Sequence, residues 1–236
     1  MQILFEDIHF YLNAANNVDI FNVDENKGDN LSIDVSTLTF KNCILENIGR
    51  NMWQTSDPND VVDEFVIDNC LIIGQNSGNR RIIGWPNTSN KLGKIVIKNS
   101  TFIDINRAVN ASLESLPAEP AEMELIVENC TFYDVVTGTE NLFDFNNKHS
   151  KGSISNCIFA NGKGETTNIL RTRGEVTSTG NFHLNDFTLG SNVIDPITLY
   201  DKNSVELFEN PEIKDFRIKD TAFPGSNAGD PTRDRK

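Results

Sequence analysis

The sequence is poor in positive charge and contains no long apolar run. It carries 21 Lys and Arg against 34 Asp and Glu, which gives a formal net charge of −13 and a pI near 4.6. Nucleic-acid binding needs a basic stripe, so we expect no nucleic-acid partner. No apolar run approaches the roughly 18 residues that a membrane span requires, so we predict no membrane-spanning segment. Residues 1–5 already read as a strand, so we expect that upstream sequence and any export signal have been removed.

The few histidines and cysteines do not form a metal-binding pattern. The three histidines are scattered along the chain at His9, His149 and His183. The four cysteines each follow an asparagine, at Cys43, Cys70, Cys130 and Cys157, and no two of them form a C-x-x-C pair. We therefore expect no zinc site. We favour buried free thiols over disulfides, because stacked parallel strands give the Cβ vectors a poor geometry for bridging.

A short motif recurs along the chain at intervals of 25 to 35 residues. Its central polar residue is Asp7, Asn42, Asn69, Asn99, Asn129, Asn156 and, more faintly, Asn181. The residue three positions later is always apolar, and the residue two positions earlier is apolar in every repeat except the last. Such a period is typical of a solenoid, in which a repeat buries its apolar face only by stacking on its neighbours.

The stretches around and between the central residues predict strands. Apolar and polar residues alternate in short Val-, Ile- and Phe-rich runs on both sides of the motif. A third strand is indicated fourteen residues after the centre, at Phe21, Ile83, Phe143 and Leu170. We predict an all-β, right-handed parallel β-helix of about seven coils over residues 1–186, with strands about 4.8 Å apart.

The recurring asparagine is predicted to be structural. An asparagine tolerates the backbone angles of a tight turn between two strands, and its side chain hydrogen-bonds nearby backbone. Repeated at one place in every coil, its amide can bond to the next coil and form a ladder. From about Phe187 the period lapses and prolines and glycines punctuate the chain, so we expect residues 187–236 to form an irregular C-terminal cap over the last coil.

The repeat and the C-terminal segment carry a family resemblance. The [VI]-x-[IF]-x-N-C-x-F unit resembles the pectate-lyase-like β-helix domains of unknown function found in bacterial, Bacteroidota-type, polysaccharide-utilisation surface proteins. The tail strengthens it through Asn210, Pro211, Asp215, Phe216, Ile218 and Ala228 to Pro231. The family typically continues with Arg-Trp, where this chain has Thr232 and Arg233. The resemblance implies polysaccharide as the ligand class and a cell-surface, extracellular or periplasmic location, and it brings no catalytic motif.

One group of polar residues is a candidate catalytic or ligand-binding site. The outward positions of the third strand row place Asp144, Asn146, Arg171 and Arg173 on adjacent coils. In lyases of similar fold this row carries the site, and Arg171 or Arg173 would hold a substrate carboxylate or take part in catalysis. Asp144 with Asn146, or Asp24 on the same row, would contribute to a Ca²⁺ shell. The simpler interpretation, which we favour, is a surface ion pair between Asp144 and Arg171.

Aromatic side chains suggest sugar binding without chemistry, because flat rings stack well on sugar faces. The sequence has two tryptophans, and the register directs Trp85 inward while Trp53 lies in a turn where it would be exposed. A groove formed by Trp53 and Arg81 with the polar residues of the third strand row is our binding-site hypothesis.

We therefore predict an exported, monomeric carbohydrate-binding β-helix module without a complete catalytic site. No cofactor is required by this interpretation, and Ca²⁺ is the one ion that the candidates would accommodate. Two alternatives remain open at this stage. One is a polysaccharide lyase acting on uronic-acid glycans, and the other is the non-catalytic stem of a larger surface protein.

Overall fold

The computed structural model describes residues 1–12, 20–23, 34–49, 51–55, 61–74, 81–84, 92–111, 122–136, 139–146 and 148–232. Within them the chain forms three parallel sheets that run side by side along one stack.

Sheet 1 contains seven strands in stacking order: β1 (Gln2–Glu6), β4 (Asp34–Lys41), β7 (Val61–Asp68), β10 (Leu92–Lys98), β13 (Met123–Glu128), β16 (Ser150–Ser155) and β19 (Glu175–Thr179). Sheet 2 contains eight: β2 (His9–Tyr11), β5 (Ile44–Ile48), β8 (Leu71–Gly74), β11 (Thr101–Ile103), β14 (Thr131–Val135), β17 (Ile158–Gly162), β20 (Phe182–Leu184) and β21 (Thr198–Tyr200). Sheet 3 contains six: β3 (Phe21–Val23), β6 (Trp53–Thr55), β9 (Arg81–Gly84), β12 (Arg107–Asn110), β15 (Asn141–Phe145) and β18 (Asn168–Thr172).

The predicted parallel β-helix is confirmed. Successive strands along the chain pass from sheet 1 to sheet 2 to sheet 3 and then return to sheet 1 one layer further on. The described strands make six coils with all three strands and a seventh, β19 and β20, with two. The predicted number of coils therefore differs slightly from the observed arrangement.

The central asparagines form the corner between sheets 1 and 2. From Asp7 to Asn156, six of these residues have φ between 51° and 58°, in the left-handed region that asparagine and aspartate tolerate better than most side chains. Part of the predicted ladder is present: Asn69 Nδ2 donates to Asn42 Oδ1 at 2.7 Å, and Asn129 Nδ2 donates to Asn99 Oδ1 at 3.2 Å. Between these two bonds Asn99 donates instead to Asp68 Oδ1.

The seventh corner was predicted one residue out of register. Thr179 pairs with Ser155, so Gly180, with φ of 65°, occupies the corner, and Asn181 follows it in the cysteine column. Asn181 is buried, with 1% of its surface exposed, and its Oδ1 accepts from Cys157 N at 2.9 Å. Two interior positions of this coil are polar, since Ser178 and His183 stand where Ile154 and Phe159 stand one coil earlier, whereas Val176 still packs against the apolar core.

A second polar corner follows sheet 2. Asn47, Asp104, Asp134 and Asn161, each five residues after the first corner, also have positive φ, between 50° and 60°. Lys163 contacts Asp104 and lies 3.7 Å from Asp134 through its Nζ. The repeat analysis did not detect this corner.

The interior is filled by columns of apolar side chains, in which each coil contributes one residue to each column. Phe102, Phe132 and Phe159 stack with ring centroids 5.1 and 5.2 Å apart, and all three are fully buried. The four cysteines form the next column, buried and free of disulfides as predicted.

Trp53 belongs to this interior, and the prediction that it is exposed is wrong. It pairs in register with Phe21 and Ile83 in sheet 3, and only 3% of its surface is exposed. Its ring packs edge-on against Phe65 with centroids 6.2 Å apart. Trp53 follows its corner by eleven residues rather than fourteen, which led the sequence analysis to place it in a turn. Trp85 lies outside the described residues.

The C-terminal segment has two parts. Residues 187–200 cover the last coil: Phe187, Leu189 and Ile197 pack against the interior, and β21 extends sheet 2 beyond β20. Residues 201–232, which we call the strap, contain α1 (Ser204–Leu207), the antiparallel pair β22 (Phe208–Asn210) and β23 (Asp215–Ile218), and a 3-10 turn, Pro211–Ile213. The predicted cover of the last coil describes only the first part.

The strap lies along the outer face of sheet 2. Leu207, Phe208, Phe216, Phe223 and Ala228 form a second apolar cluster with residues of that face, among them Leu71, Ile103, Ile158 and Leu184. Polar contacts fix the strap at distant coils. Lys214 Nζ lies 2.8 Å from Glu46 in β5, and the buried Asp230 accepts from Thr101 Oγ1 at 2.8 Å. Thr232 Oγ1 donates to Asn69 Oδ1, at the corner where the asparagine ladder is interrupted.

Candidate functional site

The candidate site is a group of charged and polar side chains on sheet 3, which we call the arginine cluster. It comprises Arg81, Arg107, Asn110, Glu140, Asp144 and Arg171. Strand pairing brings it together, because Asn110 lies in register between Gly84 and Asp144, and Asp144 lies in register with Arg171. Arg81 and Arg107 are in register with each other on β9 and β12.

Asp144 is the centre of the cluster. Only 2% of its surface is exposed, although it lies on a strand position that faces away from the apolar interior. Arg171 donates to it through two parallel bonds, Nε to Oδ1 at 2.9 Å and Nη2 to Oδ2 at 2.7 Å. This fork is the strong form of an arginine–carboxylate pair. The side chain of Arg171 is 42% exposed, so its guanidinium both holds Asp144 and reaches solvent.

Asn110 and Arg81 extend the cluster toward the N-terminal coils. With the Asn110 amide oriented so that its oxygen faces Arg81, this oxygen accepts from Arg81 Nη1 at 2.9 Å and from Nε at 3.1 Å. A row of guanidinium groups therefore runs along the stack over β9, β12 and β18.

Arg107 is the most constrained cation of the cluster. Its side chain is 14% exposed, contacts Glu140 and lies 3.9 Å from Asp144 Oδ2. Among the described residues, none accepts a hydrogen bond from its buried Nε. Burial lowers the pKa of Arg107, and the positive charges of Arg81 and Arg171 lower it further, while Asp144 opposes them. The named members of the cluster are three arginines and two carboxylates, a formal net charge of +1, so an additional anion would be attracted to it.

The structure brings together only some of the predicted site residues. Asp144, Arg171 and Arg81 meet in the cluster, and the predicted ion pair between the first two is present. Arg173 is exposed beyond the end of β18, whereas Asn146 is buried with 5% of its surface exposed. Trp53 lies beneath sheet 3 in the core and presents no ring face to solvent.

The residues predicted as calcium ligands, Asp24 and Asp144, must be considered separately. Asp24 lies outside the described residues. At Asp144 both carboxylate oxygens are held by a guanidinium, and a second guanidinium lies near, which is an unfavourable place for a divalent cation. Within the described ranges there is no group of three or more His, Cys, Asp or Glu side chains that could hold a metal.

Arg107, Asn110 and Glu140 were not predicted from the sequence. The first two were missed because Val109, the in-register partner of Ile83, follows its corner by ten residues rather than fourteen. A search that let the second turn vary in length would have found Arg107 and Asn110 beside Val109, since the flanking apolar pattern is the same.

Comparison with known proteins gives one similarity. The model of a family described as "Domain of unknown function (DUF5123)" matches residues 125–232, which run from within β13 to the end of the strap at Thr232. Neither the curated proteins nor the solved structures yield a match. In the part of the chain that the structure describes, no helix has the length and apolar character needed to cross a bilayer.

Proposed function

We propose that this chain is a carbohydrate-binding β-helix whose arginine cluster binds an acidic polysaccharide. The observation that carries the proposal is the set of three guanidinium groups over sheet 3, which among the described residues of the cluster meet two carboxylates, Glu140 and Asp144. Arginine is suited to planar, two-point recognition of carboxylates. A uronate carboxylate approaching Arg171 and Arg107 would supply the missing negative charge.

The surrounding charge favours a local and selective contact. The chain as a whole has a net charge of −13, so it repels polyanions except where cations are concentrated. The arginine cluster combines three arginines with two carboxylates, and its outer edge is the partly exposed Arg171. A ligand that carries an acidic group at intervals along a chain fits such a site. The proposal includes an exported setting, as polysaccharide ligands require, and it invokes no calcium.

The test is binding to a panel of acidic and neutral polysaccharides, with polygalacturonate and alginate as acidic members and dextran as a neutral one. We expect affinity for an acidic glycan that falls with added salt and is unchanged by EDTA. Unsaturated sugar ends would be followed by absorbance in the same samples. Their appearance would replace the binding proposal with a lyase, and a lack of affinity for every acidic glycan would overturn it.

A double variant keeps the net charge constant. Asp144→Asn with Arg171→Gln removes one negative and one positive charge and leaves a neutral pair in place of the ion pair. It avoids the buried unpaired carboxylate that Arg171→Gln alone would create. We expect about a 10- to 100-fold loss of affinity, as for a lost charge-assisted hydrogen bond. The matched control is Asp215→Asn with Arg217→Gln, which removes the surface pair in which Arg217 Nη2 lies 2.5 Å from Asp215 Oδ2. Equal affinity of the two double variants would contradict the proposed site.

A further inference from the structure

The outer face of sheet 1 carries three rows of side chains that run parallel to the stack. One edge row alternates in charge: Glu64, Lys94, Glu124, Lys151 and Glu175. The other edge row alternates as well: Glu6, Lys41, Asp68, Lys98 and Glu128. Between them lies a row of small and β-branched residues: Thr39, Val66, Val96, Ile126, Ser153 and Thr177.

Only some of the charged side chains in these rows form ion pairs with the described residues of the same chain. Lys94 lies 3.4 Å from Glu64, and Lys98 lies 3.4 Å from Asp68, so both lysines pair with the preceding coil. Among the described residues, none forms an ion pair with Glu124 or Glu128 on the following strand. Val96 and Ile126 lie between these charges and are partly exposed. The centre of this face therefore combines carboxylates that form no ion pair with the described residues and apolar side chains that are not fully buried.

We propose that this face is the interface of a symmetric homodimer. A two-fold axis parallel to the strands, midway between β10 and β13, would bring the two faces together with their stacking directions reversed. Lys94 then faces the partner's Glu124, and Lys98 faces the partner's Glu128. Glu64 faces the partner's Lys151, and Val96 packs on the partner's Ile126. Each contact occurs twice, as an isologous interface requires.

The charge pattern selects this arrangement against its neighbours. A shift of one coil in either direction places Lys94 against a lysine of the partner and Glu124 against a glutamate. A two-fold axis along the stack exchanges the edge rows, so that Lys94 meets the partner's Lys98 and Glu64 meets the partner's Asp68. Like charges in direct apposition cost several kcal/mol across an interface. A shift of two coils also avoids like charges, but among these registers the proposed one alone places a lysine of the partner opposite both Glu124 and Glu128.

The area of the face implies a weak dimer. Six facing coils at about 4.8 Å, each with about five residues at about 3.4 Å, give roughly 500 Å² per copy and about 1,000 Å² in total. This lies at the small end of specific interfaces. We therefore expect a dissociation constant of about 10 to 100 µM that rises with added salt, because the contacts are largely ionic.

The test is sedimentation velocity of the whole chain from about 5 to 500 µM. The wild type is expected to shift from the 26.4 kDa monomer to twice that mass. Lys94→Glu alone and Glu124→Lys alone should each remain monomeric, because each places like charges across the axis twice. An equimolar mixture of the two variants should recover a dimer, since the introduced glutamate then faces the introduced lysine and the other contact remains native.

Lys219→Glu on the strap is the control, because it makes the same charge change on an exposed residue away from sheet 1. It should dimerise as the wild type does, and thermal unfolding of all variants shows that each is folded. A wild type that stays monomeric at 500 µM overturns the proposal. Dimers of Lys94→Glu alone, or a mixture that remains monomeric, overturn it as well, because either result separates association from this face.

Discussion

At the scale of single residues, the corner between sheets 1 and 2 is the feature that sequence reasoning predicts best. Left-handed backbone restricts this position to few residue types, so asparagine recurs there and marks the period. The one error has a physical cause. In Thr179-Gly180-Asn181 the glycine adopts the left-handed corner, and the asparagine beside it instead satisfies the backbone of Cys157. The pattern of residue types alone does not distinguish these two ways to make the corner.

Asn129 tests the two contributions of a corner asparagine. Asn129→Ala removes the amide that donates to Asn99 Oδ1, and it places at φ of 53° a residue that tolerates left-handed backbone less well than asparagine does. We expect a loss of about 2 to 3 kcal/mol in the free energy of unfolding, about half from each cause. Asn129→Gly removes the bond but suits the backbone angle, so it should lose about 1 kcal/mol. Urea denaturation measures both, and equal losses would show that backbone strain contributes nothing.

Asp220 offers a test of electrostatics on the strap. Its hydrogen bond from Lys202, together with one from Tyr200 at 2.7 Å, lowers the pKa of Asp220 to about 2. Because the folded pKa lies below the ordinary value near 3.9, the pair stabilises the fold above that value and ceases to do so as the pH falls toward 2. Carboxyl NMR should find a midpoint near 2. Lys202→Met should raise it, and an unchanged midpoint would show that Tyr200 suffices.

At the scale of elements, the strands next to the first corner were predicted and those after the second turn were predicted only in part. The first corner has a constant length, so positions two before and three after it are always equivalent. The turn between sheets 2 and 3 varies, and a fixed offset of fourteen residues located Phe143 and Leu170 but misplaced Trp53 and overlooked Val109. Arg107 and Asn110 were therefore not predicted, since they lie on the strand of Val109.

The position of the strap on sheet 2 could not be predicted from the sequence, because the apolar residues of the strap do not recur at a fixed period. Phe216 is the residue through which its attachment can be measured. It is 1% exposed and packs against Tyr133 on sheet 2 and Phe208 on β22, with centroids 5.3 and 5.2 Å away. We expect Phe216→Ala to lose about 3 to 5 kcal/mol, as large buried aromatics do.

Ile213→Ala is its control, because Ile213 lies on the same segment and is 71% exposed. It should change the stability by less than about 0.5 kcal/mol. Hydrogen exchange should also show faster exchange in β22 and β23 of Phe216→Ala, with β13 unaffected. If β13 exchanges equally fast, the strap and the coils unfold as one unit.

At the scale of the whole molecule, the two ends of the stack are unequal. The C-terminal end has polar interior residues, a cover formed by residues 187–200 and an added strand. In the first described coil, Ile3, Phe5 and Phe10 are only partly buried, whereas their counterparts in the middle coils are fully buried. Partly buried apolar side chains contribute less to stability than fully buried ones, so this coil is held less firmly than the middle coils.

This asymmetry predicts a gradient of hydrogen exchange along the stack. Amides of β1 and β2 should exchange by local opening of small free energy, and amides of β13 and β14 should exchange only near the global limit. Mass spectrometry of peptic fragments at two pH values would establish the order of protection. Uniform protection from β1 to β16 would mean that the coils open together, although their interior side chains differ in burial.

The strap has a consequence for how the protein is made. A β-helix can form coil by coil as the chain emerges from the ribosome, since each layer needs only the previous one. The side chains of Leu71, Ile103 and Ile158, however, stay uncovered until their partners between Leu207 and Ala228 are made, up to 157 residues later in the sequence (from Leu71 to Ala228). During that interval a nascent chain would display an apolar stripe open to chaperones and to neighbouring chains on the same polysome. Synthesis of the final segment, rather than of the coils, therefore sets the moment at which the molecule ceases to be aggregation-prone.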